Sequence, residues 1–195
     1  MPTIQAETAL LPDGWAENVV IEIADNGRIA SVIPNVTDAS AKVYVFCLLP
    51  APVNAHSHAF QRAMAGLTEH RSDNTKDSFW TWRELMYRFL DQLTPDDVEA
   101  IAALVQMEML EAGYSAVSEF HYLHNDLSGV CYNKISEMSE RVINSSKKTG
   151  IGLTLLPVLY EHNGINGGNL ISGQDRFGLT FHEFENLFEE IIKSK

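Results

Sequence analysis

The chain has 195 residues, 45% of them hydrophobic, which is enough to bury a core and unlike a disordered segment. Fourteen Lys and Arg against 26 Asp and Glu leave a formal charge of -12, a field that opposes nucleic acid and anionic lipid as partners. Cys47 and Cys131 lie far apart and in no metal-like spacing, which argues against a disulfide scaffold and suits a reducing, cytoplasmic setting. The first residues lack a basic segment followed by an apolar one, and nowhere do about eighteen uncharged apolar residues run together, so neither a leader nor a membrane span is expected.

The first elements read as strands. Val19, Ile21 and Ile23 alternate with Val20, Glu22 and Ala24; Asp25-Asn26-Gly27-Arg28 then intervenes before Ile29 to Ile33, and Asn-Gly between two such runs predicts a hairpin. Residues 43 to 55, apolar and β-branched at the start and interrupted by Pro50 and Pro52, predict a buried strand that reaches a loop at His56. After a polar stretch from Glu69 to Lys76, Ser78 is placed to cap a helix whose face carries Phe79, Trp82, Met86, Phe89, Leu90 and Leu93. Thr94, Pro95 and Asp97 announce a second helix, carried by Ile101, Leu104 and Val105 to a stop at Gly113.

Tyr114 to Leu123 predicts a further strand with polar residues at its far end, and Ser136 to Thr149 a helix closed by Gly150. Ile151 to Tyr160 is a nearly continuous apolar run of the kind covered on both faces. A loop rich in Gly and Asn follows, and Thr180 with Glu183 in capping-box spacing opens a last amphipathic helix. Strands alternating with helices imply parallel βαβ units. The expected fold class is therefore α/β: about the first three units of a (β/α)8 TIM-like barrel, preceded by a small N-terminal β layer. The expected division is an N-terminal β-sandwich portion over residues 1–48 and the N-terminal, truncated part of a barrel over 49–195.

His56-Ser57-His58 stands where the first barrel strand ends. Along an extended backbone residues i and i+2 face the same side, about 6.5 to 7 Å apart, so two imidazoles can converge on one ion while Ser57 points away. Taken alone, His-x-His is a weak signal, and two structural or surface histidines are the more frequent account of it. The surrounding residues are more specific. Asn54-Ala55-His56-Ser57-His58-Ala59-Phe60-Gln61-Arg62 resembles the first-strand metal motif of the amidohydrolase superfamily and, more narrowly, of the formimidoylglutamate deiminases. The segments 77–88, Ala116-Val117-Ser118-Glu119-Phe120-His121-Tyr122 and 150–160 look like the same family. Leu49-Pro50-Ala51-Pro52 departs from it, since the family has Leu-Pro-Gly there, and losing that Gly removes access to positive φ.

The resemblance implies that His56 and His58 are two ligands of one Zn²⁺, although imidazole donors accept other first-row divalent ions. It implies that Gln61, Arg83 and Tyr122 face the glutamate portion of a small-molecule substrate, N-formimidoyl-L-glutamate, which is hydrolysed to N-formyl-L-glutamate and ammonia in histidine breakdown. The remaining ligands and the acid/base residues are expected beyond Lys195, so no catalytic residue is assigned in this chain and the chain alone is expected to be inactive. A homodimer is allowed for a full-length version.

Blander readings compete with these. A solvated or salt-bridged surface arginine is the ordinary account of Arg83, and Gln61 and Tyr122 have similar alternatives. Trp80, Trp82, Phe79 and Met86 fit a packing face better than a cofactor box. His121 and His124 fit hydrogen-bonded structural histidines better than ligands, and Glu119 is open as a group that orients a partner. Two other functional classes remain at this stage: another aminohydrolase of the superfamily acting on a purine-like or pterin-like ring, which would give no reason for a carboxylate clamp, and a truncated product without catalysis.

Overall fold

The structure, a computed structural model, describes residues 2–38, 40–68 and 78–194. The polar stretch from Glu69 to Lys76, with His70, lies outside the described residues. The chain divides into two compact units, Met1–Ala51 and Pro52–Lys195.

The first unit is a four-stranded sheet of β1 (Thr3–Leu11), β2 (Gly14–Ile23), β3 (Ile29–Ile33) and β4 (Val43–Leu48) in the order β3-β2-β1-β4. The β1–β2 and β2–β3 pairs are antiparallel and β1–β4 is parallel. Asn26-Gly27 turns the β2–β3 hairpin as expected: Gly27 takes φ 78°, and the Ala24 amide donates to the Arg28 carbonyl at 2.8 Å. Ala6, Ala9, Val19 and Ile21 form its buried core.

The run from residue 43 to 55 is not one buried strand. It is split into β4, which edges the first sheet with Tyr44 and Phe46 exposed, and β5 (Val53–Ser57), which belongs to the second unit. The prolines at 50 and 52 account for the break, because neither can donate to a ladder and each biases the residue before it.

The second unit carries β5, β6 (Ala116–His121) and β7 (Gly152–Pro157) as a parallel sheet in the order β5-β6-β7. After β5 come a short 3₁₀ helix, Ala59–Met64, then α1 (Phe79–Leu90) and α2 (Pro95–Glu111); α3 (Glu137–Thr149) follows β6 and α4 (Phe181–Lys193) follows β7. This is the architecture of a partial (β/α)8 barrel, three parallel strands each leading into helix.

The helix ends follow their residues. Ser78, Thr94 and Thr180 each accept a backbone N–H at the start of α1, α2 and α4, and each closes a capping box with Thr81, Asp97 or Glu183. Gly150 ends α3 in the left-handed conformation, φ 83°. Helices α2 and α3 are laced together by Arg141, which pairs with Asp96 at 2.6 Å and with Glu99 at 3.1 Å, and by Lys148 on Glu99.

The main core gathers Phe60, Met64, Met86, Leu90, Val98, Ala102, Leu123, Met138, Val142 and Phe177 between sheet and helices. Two expectations about packing change. Leu153 and Leu155 of β7 pack on this core, but Gly152, Thr154 and Leu156 on the other face are exposed, since among the described residues helices cover one side of the sheet. On α1, Trp82, Met86, Phe89 and Leu90 pack inward, whereas Phe79 and Trp80 are 61% and 64% exposed because they sit on its first turn, ahead of the packed face.

Candidate metal-binding site

β5 delivers His56 and His58 to the C-terminal edge of the parallel sheet. The ladder to β6 is regular at Val53 and Asn54, shifts register between Asn54 and Ser57, and resumes with Ser57 beside Glu119. A bulge of this kind re-aims side chains, and here it contains His56 and ends just before His58. Their Nε2 atoms face each other at 3.0 Å, with ring planes at 86°. His58 Nδ1 lies 3.0 Å from the Phe120 carbonyl, which can only accept, so Nδ1 carries the proton and Nε2 presents a lone pair. Burial holds the His58 pKa below the usual imidazole value, the Phe120 carbonyl works against that shift, and His56 adds to it.

The arrangement can be tested against a tetrahedral ion. Two imidazole nitrogens bonded at about 2.0 to 2.1 Å are about 3.3 Å apart. The 3.0 Å between the rings is a hydrogen-bond length about 0.3 Å short of that separation, so an ion would have to part them slightly, while a second nitrogen tied to a carbonyl is what a ligand imidazole has. Among the described residues no group of three or more His, Cys, Asp or Glu side chains is placed to hold a metal ion.

The wall beside the pair contains Gln61 and Tyr122. The Tyr122 ring packs edge-on against His58 at 5.1 Å, and Gln61 Nε2 donates to the Tyr122 hydroxyl at 2.8 Å. Burial pushes the Tyr122 pKa up to about 12, with the Gln61 hydrogen bond opposing, so its hydroxyl stays protonated through any ordinary working range. Met86 of α1 touches both, its sulfur 3.8 Å from Gln61 Nε2 and 4.0 Å from the Tyr122 oxygen.

Arg83 sits one turn before Met86 on α1. Its guanidinium lies over the Tyr87 ring at 5.2 Å and the Trp80 ring at 5.6 Å, and its Nε donates to the Tyr87 hydroxyl. Arg83 is thus held by its own helix, and Met86 is what links that helix to Gln61 and Tyr122.

The 3₁₀ helix after His58 is anchored by Arg62, whose Nε and Nη2 meet the two Glu108 oxygens of α2 at 2.7 and 2.6 Å. Glu119, 3% exposed, accepts the Ala59 amide at 2.6 Å and a hydrogen bond from Ser57. Burial nevertheless raises its pKa. His121 and His124 are buried on a different contact set: their rings meet at 5.4 Å and His124 Nε2 pairs with the Val158 carbonyl at 2.9 Å. His162 and His182 lie near Glu161 and Glu185 at 3.6 and 3.8 Å, on largely exposed side chains. Sequence reasoning did not find the Phe120 carbonyl or Met86. A carbonyl leaves no sequence signal, while Met86 was visible as an inward helical position.

Residues 1–42 match the family described as formimidoylglutamate deiminase HutF, N-terminal domain. Across a longer span, 177 residues are 51% identical to the formimidoylglutamate deiminase of Pseudomonas aeruginosa, covering 91% of this chain and 39% of that protein. The chain is similar to formimidoylglutamate deiminases, its first 42 residues to their N-terminal domain.

It spans about two fifths of the length of that relative. A crystal structure of an amidohydrolase from Brucella melitensis superimposes on all of this chain with TM-score 0.92 and 45% identity, using 43% of the Brucella chain. The atrazine chlorohydrolase TrzN of Arthrobacter aurescens TC1, solved as a mutant with zinc and atraton, aligns over 100% of this chain and 43% of its own, with TM-score 0.70 and 17% identity. That second likeness is one of fold. The similarity and the fold thus agree with the deiminase resemblance read from the residues around His56 and His58.

Proposed function

We propose that this chain contributes two metal ligands and part of the substrate wall to a hydrolase that converts N-formimidoyl-L-glutamate and water to N-formyl-L-glutamate and ammonia, a step of histidine breakdown. The observation that carries the reading is the pair of His56 and His58 Nε2 atoms at 3.0 Å, with His58 Nδ1 tied back to the Phe120 carbonyl. When bound, a zinc or similar divalent ion would lower the pKa of water and polarise the amidine carbon toward attack.

The chain's own residues have three tasks. His56 and His58 hold the ion through neutral Nε2 atoms. Tyr122 and Gln61 stand beside them as a coupled pair of neutral hydrogen-bonding groups for the substrate's glutamate portion. Arg83 supplies a cation for a carboxylate in a protein whose net charge of -12 otherwise opposes an anion. To serve it must turn from the Tyr87 hydroxyl toward the Gln61–Tyr122 wall.

The free cysteines, Cys47 and Cys131, support a reducing, cytoplasmic setting. No helix among the described residues is long and apolar enough to cross a membrane.

The test is ammonia release from N-formimidoyl-L-glutamate by a full-length version. Turnover that His56→Ala or His58→Ala abolishes together with metal content supports the reading. Turnover of guanine in place of the linear amidine, or full activity in both variants, overturns it. The 195-residue chain alone is expected to release no ammonia.

A further inference from the structure

The hydrogen bonds around His58 are supplied by two successive residues of β6. Phe120 gives its carbonyl to His58 Nδ1 at 3.0 Å, which fixes the ring. Glu119, whose side chain leaves the opposite face of the strand, takes the Ala59 amide at 2.6 Å and a hydrogen bond from the Ser57 side chain, so it holds the residues on both sides of His58.

Both contacts answer a local defect. The β5–β6 register slips between Asn54 and Ser57, which leaves His56 and His58 without a regular ladder to hold them. His58 is also the N-cap of the 3₁₀ helix, yet its side chain makes no capping bond, so the first amide of that helix, Ala59, is satisfied from the neighbouring strand. Glu119 is 3% exposed, and a carboxylate is costly to bury for packing alone, where an apolar side chain would serve.

We propose that Glu119 is a positioning residue for the metal pair: by clamping Ser57 and Ala59 it sets the backbone from which His56 and His58 converge. The inference rests on the reading of those histidines as ligands. It gives Glu119 no contact with metal or substrate.

The experiment uses the 195-residue chain with Co²⁺ as probe, following its absorption bands and competing with Zn²⁺, alongside ¹⁵N shifts of the His58 ring in the metal-free chain. Wild type and His56→Ala establish whether the pair binds. Glu119→Ala is expected to weaken Co²⁺ binding about 10- to 100-fold and to replace the single Nδ1–H tautomer of His58 by a mixture. Glu119→Gln keeps an acceptor for Ala59 and a partner for Ser57, and should restore both readouts to within about threefold of wild type. Ser57→Ala, a small change that keeps the Ala59 bond, should weaken binding by a few-fold and serves where Glu119→Ala does not fold.

Affinity and tautomer unchanged in Glu119→Ala, or in Ser57→Ala where the former is unfolded, overturn the positioning role. So does a Gln variant as weak as the Ala variant. A wild type that binds no Co²⁺ but shows a fixed His58 tautomer lost in Glu119→Ala defeats the metal reading while leaving the clamp in place.

Discussion

Gln61 donates to the Tyr122 hydroxyl at 2.8 Å while the Tyr122 ring stands edge-on to His58 at 5.1 Å, so the candidate substrate wall and the candidate metal pair share one side chain. The hydroxyl and the ring have separable tasks. Tyr122→Phe removes the former and keeps the ring contacts to His58, Phe60 and Phe177. In a full-length version it is expected to raise KM about tenfold, the loss of one hydrogen bond, with the urea midpoint nearly unchanged. Steady-state kinetics with N-formimidoyl-L-glutamate and a denaturation curve check it. With the Tyr122 pKa near 12, the hydroxyl should add no limb to the pH profile below pH 10.

Arg176 is buried, 2% exposed, and its guanidinium spans two main-chain carbonyls: Nη1 donates to Leu90 at the end of α1, and Nε and Nη2 donate to Asn125 at 3.3 and 3.2 Å. A cation at the carbonyl end of a helix opposes the negative end of its dipole, so this contact fastens α1 to the loops after β6 and β7. Arg176→Met is expected to destabilise the second unit by about 2 kcal/mol, leaving the Asn125 carbonyl without its donor and the Leu90 carbonyl with the Leu93 amide alone. Because the chain has two units, the measurement should be local: amide exchange of α1 and β6, where protection like that of wild type would refute the clamp.

Much of the second unit was legible because its signals are local. The capping residues Ser78, Thr94 and Thr180 are short-range chemistry, and they mark α1, α2 and α4 to within a residue. β1 went unread although Pro12-Asp13-Gly14, a turn signal between two strands, was present; Gly14 takes φ 119° there. The division of residues 43–55 between two sheets was not legible, because hydrophobicity says that a strand is apolar and not which sheet it joins. The site divides in the same way. His56 and His58 follow from spacing, but the tie of His58 to the Phe120 carbonyl and that of Glu119 to Ala59 bridge 62 and 60 residues, and only the folded register of β5 on β6 brings them together.

His121 and His124 predict how the second unit responds to acid. They are 3% and 2% exposed, and His121 Nε2 and His124 Nδ1 have no hydrogen-bond partner, so neither ring is prepared to carry charge. Burial lowers the His124 pKa to about 4, and burial followed by repulsion from His124 holds His121 well below the usual value. A histidine with a depressed folded pKa binds fewer protons folded than unfolded. Its contribution is therefore complete above the unfolded pKa of about 6.5 and is lost as pH falls from there toward the folded value. For His124 the whole loss is about 3 kcal/mol, up to about 1.4 kcal/mol for each pH unit. Urea midpoints of the second unit should fall between pH 7 and pH 5, and His124→Gln should flatten that slope. A wild-type midpoint that is level across this window contradicts the assignment.

Gly173 offers a test of what holds Arg83 in place. It takes φ 89°, and a Cβ built on it would come within 2.6 Å of the Tyr87 ring, so only glycine lets that loop lie against the ring whose hydroxyl accepts from Arg83 Nε. Gly173→Ala combines strain at positive φ with a clash on a ring that also packs near Phe177 at 6.1 Å. The second unit should lose about 1 to 3 kcal/mol, and Tyr87 must shift. Because Arg83 is tied to Tyr87, the variant should also move substrate binding in a full-length version, raising KM by more than it lowers kcat. Arg83→Ala provides the comparison. If Arg83 serves the substrate carboxylate, combining it with Gly173→Ala should leave KM near that of Arg83→Ala alone, because both changes act through one guanidinium; KM values that multiply would mean that the loop reaches the substrate by another route.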